Sequence, residues 1–147
     1  MTPEFITLHH SLSTDGKSYN TSAIRKWHTG LHPDSPYRNK PMRDIGYHFM
    51  IELVRDRYEI IIGRLWNENG AHCKQNNMNS RSLGICFIGN YDNDPLPVAM
   101  LACGLKLVMA LRQTFEIPAA KVFGHTELAP WKTCPGKRFN IEAFRGK

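Results

Sequence analysis

Apolar residues recur along this chain with two periods, one suited to strands and one to helices. Phe5-Ile6-Thr7-Leu8-His9-His10 is β-branched and aromatic, and the polar stretch Ser11 to Gly16 ends it, which predicts a strand. Ser22 or Thr21 then caps a short predicted helix that puts Ile24, Trp27 and His28 on one face and closes at Gly30. A loop rich in Pro, Asp and Asn follows from Leu31 to Arg43. Gly46 to Leu53 and Tyr58 to Gly63 predict two strands joined as a hairpin through Arg55-Asp56-Arg57. Leu83 to Ile88 is so continuously apolar that it predicts a strand buried on both faces.

The long helix of the chain is expected from about Leu96 to Phe115. Pro97 suits its first turn, while Val98, Leu101, Ala102, Leu105, Val108 and Met109 recur at helical spacing. Pro118 prevents its continuation. Lys121 to Gly124 predicts a short strand, and Asn140 caps a small terminal helix carrying Ile141 and Phe144. Strands interleaved with helices predict an α/β fold: a single domain, residues 1–147, around a central mixed β-sheet flanked by a few helices. The sheet is expected to be mostly parallel, with the Tyr58 hairpin as its antiparallel part.

Composition changes this picture little. With 147 residues, 41% hydrophobic and 22% charged, the chain lacks the bias that disorder, collagen or a coiled coil requires. No apolar run approaches the roughly 20 residues of a membrane span, because Lys106 and Arg112 break the longest one. Met-Thr-Pro-Glu carries neither a basic nor an apolar leader region, so the expectation is synthesis in the cytoplasm without a signal peptide. Charge adds more. Lys+Arg 19 against Asp+Glu 13 gives +6, which favours a polyanionic partner. The basic residues are scattered and form no tract, which argues against nucleic acid.

Four cysteines, Cys73, Cys86, Cys103 and Cys134, form no close pair, so a disulfide scaffold is not expected. Cys86 and Cys103 sit in apolar patterns and read as small buried hydrophobes; Cys73 joins them as a packing residue. Cys134 lies instead in a polar loop flanked by proline. Nine residues before it stands His125, and His9-His10 ends the first strand. Successive strand residues point to opposite faces, so only one of that pair can face a given site. Two imidazoles and a thiolate suit a zinc site with three protein ligands and one position open. Spacing alone makes this a weak signal.

Context strengthens it. Leu8-His9-His10-Ser11, Asp44-Ile45-Gly46-Tyr47-His48-Phe49, Gly70-Ala71-His72, Asn79-Ser80-Arg81-Ser82-Leu83-Gly84-Ile85-Cys86 and Gly124-His125-Thr126-Glu127-Leu128-Ala129-Pro130-Trp131-Lys132-Thr133-Cys134-Pro135-Gly136 follow in that order. The chain thereby resembles the zinc-dependent N-acetylmuramoyl-L-alanine amidases of type 2, which include phage lysozyme-type amidases and the peptidoglycan-recognition proteins. The resemblance runs from Phe5 to Phe144.

It implies an amidase type 2, peptidoglycan-recognition-like fold and one Zn2+ per chain, held by His9, His125 and Cys134. Tyr47 matches a catalytic tyrosine, and Lys132 the lysine of catalytic phage and bacterial members. Many members carry a glutamate where Cys86 stands. Its lack here favours the phage-like branch and its Tyr/Lys pair. Trp131 is an extra residue relative to the shortest His-to-Cys loops. Glu127, two residues past His125, reads as a general base or, in preference, as a carboxylate that supports the ligands or fixes this loop. His72 lines the cleft for substrate or makes a structural hydrogen bond, and Trp66, Asn79 and Arg81 are further candidate substrate contacts. His28, His32 and His48 read as structural or surface residues.

The implied activity is hydrolysis of the amide between N-acetylmuramic acid and L-alanine in bacterial peptidoglycan, as in a cell-wall lytic, bacteriolytic endolysin. Zinc lowers the pKa of its water to about 7, and the Lys132 ammonium stabilises charge developing on the carbonyl oxygen. The partner expected is the muropeptide of the bacterial wall, with no nucleic acid, no membrane insertion and a monomeric chain. A recognition domain that binds muropeptide without cutting it is the alternative. Recognition-only relatives typically replace the cysteine, and Cys134 is present.

Overall fold

The computed structural model describes residues 1–14 and 19–146. Five strands form one sheet: β1 (Phe5–His10), β2 (Phe49–Val54), β3 (Arg57–Ile62), β4 (Ser82–Phe87) and β5 (Val122–Gly124). Their order across it is β3-β2-β4-β1-β5. β1 lies parallel to both β4 and β5, β2 is parallel to β4, and among the described residues only the β2–β3 hairpin is antiparallel. The mixed, mostly parallel sheet is therefore as the residue pattern predicts. The Gly16 end of the polar stretch after β1 lies outside the described residues.

Burial explains the arrangement. β4 sits near the centre and is buried at every position, consistent with its unbroken apolar run. One sheet face, carrying Ile6, Leu8, Leu83, Ile85 and Phe87, packs on helix α2 (Val98–Thr114) and on the C-terminal turn through Phe139 and Phe144. The other face carries Ile45, Met50, Cys86 and Ile88, covered by Ile24 of helix α1 (Thr21–His28). α1 is tied to the sheet where the Thr21 N–H and hydroxyl both donate to Glu52 of β2, each at 2.5 Å.

Several local expectations shift. The N-cap of α1 is Asn20, whose Oδ1 accepts the Ala23 N–H at 2.9 Å, rather than Ser22 or Thr21. Thr21 is drawn to Glu52 instead and becomes the first helical residue. α2 buries Met100, Gly104, Leu107, Val108 and Leu111, whereas Val98 is 84% and Met109 56% exposed. This helix is apolar around most of its circumference, so its period does not select the buried face. The missing side chain of Gly104 does: a Cβ there would stand 2.5 Å from the Phe87 ring. The predicted terminal helix is a 3-10 turn, Glu142–Arg145.

Candidate metal centre

Strand register brings the candidate ligands together. In β1, Leu8 pairs with Gly124, the last residue of β5, and His9 pairs with Cys86 of β4. The residue after Gly124 is His125, which opens a four-residue helix, α3 (His125–Leu128). His9 and His125 therefore meet at the carboxyl ends of adjacent parallel strands, where open α/β sheets place their ligands. Their ring centroids are 4.6 Å apart. Parity sends His10 elsewhere: its Nδ1 accepts the Tyr91 N–H at 3.2 Å.

Cys134 arrives on the loop after α3, and several bonds hold that loop. The Cys134 carbonyl accepts the Thr126 N–H at 2.6 Å, and the Lys132 carbonyl accepts the Thr126 hydroxyl at 2.8 Å. Asp92, beyond β4, accepts the Thr133 hydroxyl at 2.7 Å and the Lys137 N–H at 3.0 Å. Gly136 adopts φ +123, and a Cβ there would lie 2.4 Å from the Tyr91 backbone, so the chain passes where a larger residue does not fit. Glu127 serves the same loop. It accepts the Gly124 N–H at 2.7 Å and pairs with Arg145, which makes it a fixing carboxylate.

One ligand atom from each of His9, His125 and Cys134 lies within 4.8 Å of the others. The Cys134 Sγ is 3.5 Å from His9 Nδ1. Zinc–nitrogen bonds of about 2.0–2.1 Å and a zinc–sulfur bond of about 2.3 Å in a tetrahedron put such a pair about 3.5 Å apart, so this pair has the spacing that ion requires. Burial also holds both imidazoles neutral, with lone pairs available: it pushes His9 well below its ordinary value, and burial with the Lys132 charge lowers His125 to about 4. Burial raises Cys134 to about 12, so without a cation its thiol keeps its proton.

The three donors open into a cleft of about 450 Å³ that Tyr47, His72, Trp131 and Lys132 also line. The Tyr47 ring stands 5.2 Å from that of His9, and its hydroxyl is hydrogen-bonded to the Cys86 side chain. Burial and the neighbouring thiols raise Tyr47 well above the usual phenol value, so it stays protonated. A second groove of about 590 Å³ adjoins this one and shares Tyr47, His28 and Tyr37 with it.

Other candidates lie elsewhere. Trp66 packs on Phe115, with centroids 5.3 Å apart, and lines neither groove. Arg81 makes a bidentate pair with Glu4, at 3.0 and 2.7 Å, and its guanidinium covers the Phe5 ring. Asn79 Oδ1 accepts the N–H groups of His72 and Cys73, each at 2.7 Å, so it shapes the chain instead of facing the cleft. His72 reaches the cleft, but its ring nitrogens are taken by His9 and the Ser82 carbonyl. His48 and His28 accept backbone N–H groups of Gly84 and Gly46. The second groove is lined by Trp27, which the sequence placed on one face of the short helix, and by Tyr37 of the Pro-rich loop; no motif marked either as a groove residue.

A profile of the N-acetylmuramoyl-L-alanine amidase family, Amidase_2, matches residues 1–137. Peptidoglycan-recognition protein SC2 of Drosophila melanogaster is 36% identical over 94 residues, 63% of this chain and 48% of that protein. The chain thus spans about half the length of such curated relatives. An endolysin of Enterobacteria phage K11 is 29% identical over 133 residues, covering 87% of this chain and 77% of that protein. Among solved structures, the N-acetylmuramoyl-L-alanine amidase LysC from Clostridium intestinale URNW superposes with a TM-score of 0.78 at 22% identity, over 99% of this chain and 85% of that one. This last likeness speaks for the fold.

Proposed function

The chain belongs to the N-acetylmuramoyl-L-alanine amidase family, and from that premise we propose that it hydrolyses the amide joining N-acetylmuramic acid to L-alanine in bacterial peptidoglycan, using one zinc ion. The observation that carries this reading is the convergence of His9, His125 and Cys134 at the floor of an open cleft. Two imidazoles and one thiolate leave a fourth position free, the pattern of a catalytic rather than a structural zinc site. Zinc held there supplies Lewis acidity toward water and a carbonyl group.

The chain's own residues do the rest. Lys132, on the cleft wall, places its ammonium where negative charge develops on the substrate carbonyl oxygen. Tyr47 stands beside His9 on the cleft wall and keeps its proton, because burial raises it well above the usual phenol value. Its hydroxyl oxygen accepts a hydrogen bond from the attacking water and orients it, and a phenol so protonated is not the base. The exposed indole of Trp131, at the cleft edge, offers an apolar surface to the sugar or peptide. The peptidoglycan-recognition and endolysin relatives support a muropeptide as the partner and the bacterial wall as the place of action.

Mass spectrometry of products from defined peptidoglycan, with and without a chelator, tests this. Stem peptides with free L-alanine amino ends are expected, with no new reducing sugar ends and no turnover under chelation. New reducing ends would make the protein a glycosidase. Muropeptide binding with no product would make it a recognition domain.

A further inference from the structure

We propose that His72 is a positioning residue that fixes the tautomer and rotation of His9, so that His9 meets the metal through Nδ1. The inference rests on the metal-site reading above and deepens it. Its starting point is the Ser82 carbonyl, which can only accept. His72 Nε2 lies 3.2 Å from it and therefore carries the proton. A neutral imidazole with Nε2 protonated has a bare Nδ1. That atom is 3.1 Å from His9 Nε2, so His9 must donate there. His9 then keeps its own proton on Nε2 and turns the lone pair of Nδ1 toward Cys134 Sγ, 3.5 Å away. One backbone carbonyl thus sets the polarity of two imidazoles in series and selects the ligating atom of the second.

The fold holds His72 for this task more tightly than a cleft-lining substrate contact requires. Its ring lies in a slot between two glycines: a Cβ on Gly70 or on Gly84 would come within 2.5 Å of it. Asn79 grips its N–H at 2.7 Å. The third side of the slot is the ring of His48, itself locked because Gly84 N–H donates to its Nδ1 and its Nε2 donates to the Glu68 carbonyl. His72 therefore has one ring orientation, and both of its nitrogens are committed. Lacking a free nitrogen, it acts on the reaction through His9.

Long-range proton–nitrogen NMR of the zinc-loaded protein, with zinc affinity measured by chelator competition, tests the assignment. The expected spectrum shows His9 and His72 both protonated at Nε2. His9 protonated at Nδ1 overturns the proposal, and this reading needs no variant. His72→Leu, which removes the acceptor, is expected to weaken zinc binding about 10–100-fold. His72→Asn, whose Oδ1 stands where Nδ1 was, is expected to recover most of that affinity. Equal affinity in wild type and His72→Leu overturns the proposal, as does His72→Asn binding no better than His72→Leu. A wild-type protein that takes up no stoichiometric zinc would instead sink the metal-site reading itself.

Discussion

At the scale of single residues, the meeting of His9, His125 and Cys134 was more legible than the groups around them. His9 and Cys134 are separated by 125 positions, and only motif order connects them; strand parity let one of His9 and His10 face the site, and the family resemblance pointed to His9. Trp66 and Arg81 have neighbours in sequence that lead to the site, while their own side chains turn to Phe115 and Glu4. Nothing local announces such long-range partners. The residue-level predictions follow from the roles assigned. Cys134→Ser should lose bound zinc by elemental analysis and lose turnover; full activity in a zinc-free Cys134→Ser protein would refute the ligand set. Tyr47→Phe removes the oxygen that orients water and should lower kcat by about 10²-fold with zinc content unchanged. Lys132→Met should cost a similar factor, about 10²–10³, with zinc content again unchanged.

Among elements, β1, β4 and the β2–β3 hairpin could be read directly, since alternation and unbroken apolar runs report burial on one face or two. The face of α2 could not, because its apolar residues surround the helix and only Gly104, facing Phe87, marks the contact. Gly104→Val should therefore overpack this seam and destabilise the fold by about 1–3 kcal/mol, read from denaturant midpoints. Helix α3 escaped notice for a different reason: four residues give no period, and its Gly124–Glu127 cap joins two residues inside a motif. The loop that follows it depends on Asp92. Asp92→Ala removes the acceptor for Thr133 and Lys137 and should weaken zinc retention several-fold while leaving the far-ultraviolet spectrum unchanged. Unaltered retention would show that the loop holds itself.

For the whole molecule, pH and salt act through different groups. Burial holds His28 at about 4, His72 at about 3 and His125 at about 4, against an ordinary 6.5. In the unfolded chain these imidazoles take up protons below 6.5, whereas the folded state resists until about 4. Unfolded protein therefore binds more protons in that window, so stability of the metal-free protein is fully present above it and falls as pH drops through it. Melting temperatures measured across the window should decline steadily toward acid; a flat profile would contradict the assigned burial. The net charge of +6 should draw the protein to an anionic envelope, and clearing of intact walls should weaken as salt rises. The metal centre has a consequence of another kind. His9 lies near the start of the chain and Cys134 near its end, so the proposed ion is a clasp closing a ring of some 125 residues. An open chain of that length closes only at a large cost in entropy, and a bound ion at about 1,000 times its dissociation constant adds about 4 kcal/mol to the folded state. With β1 still paired to β4 and β5, chelation should leave the fold standing but easier for a protease to open, so that the molecule loses its chemistry and part of its durability in a single event.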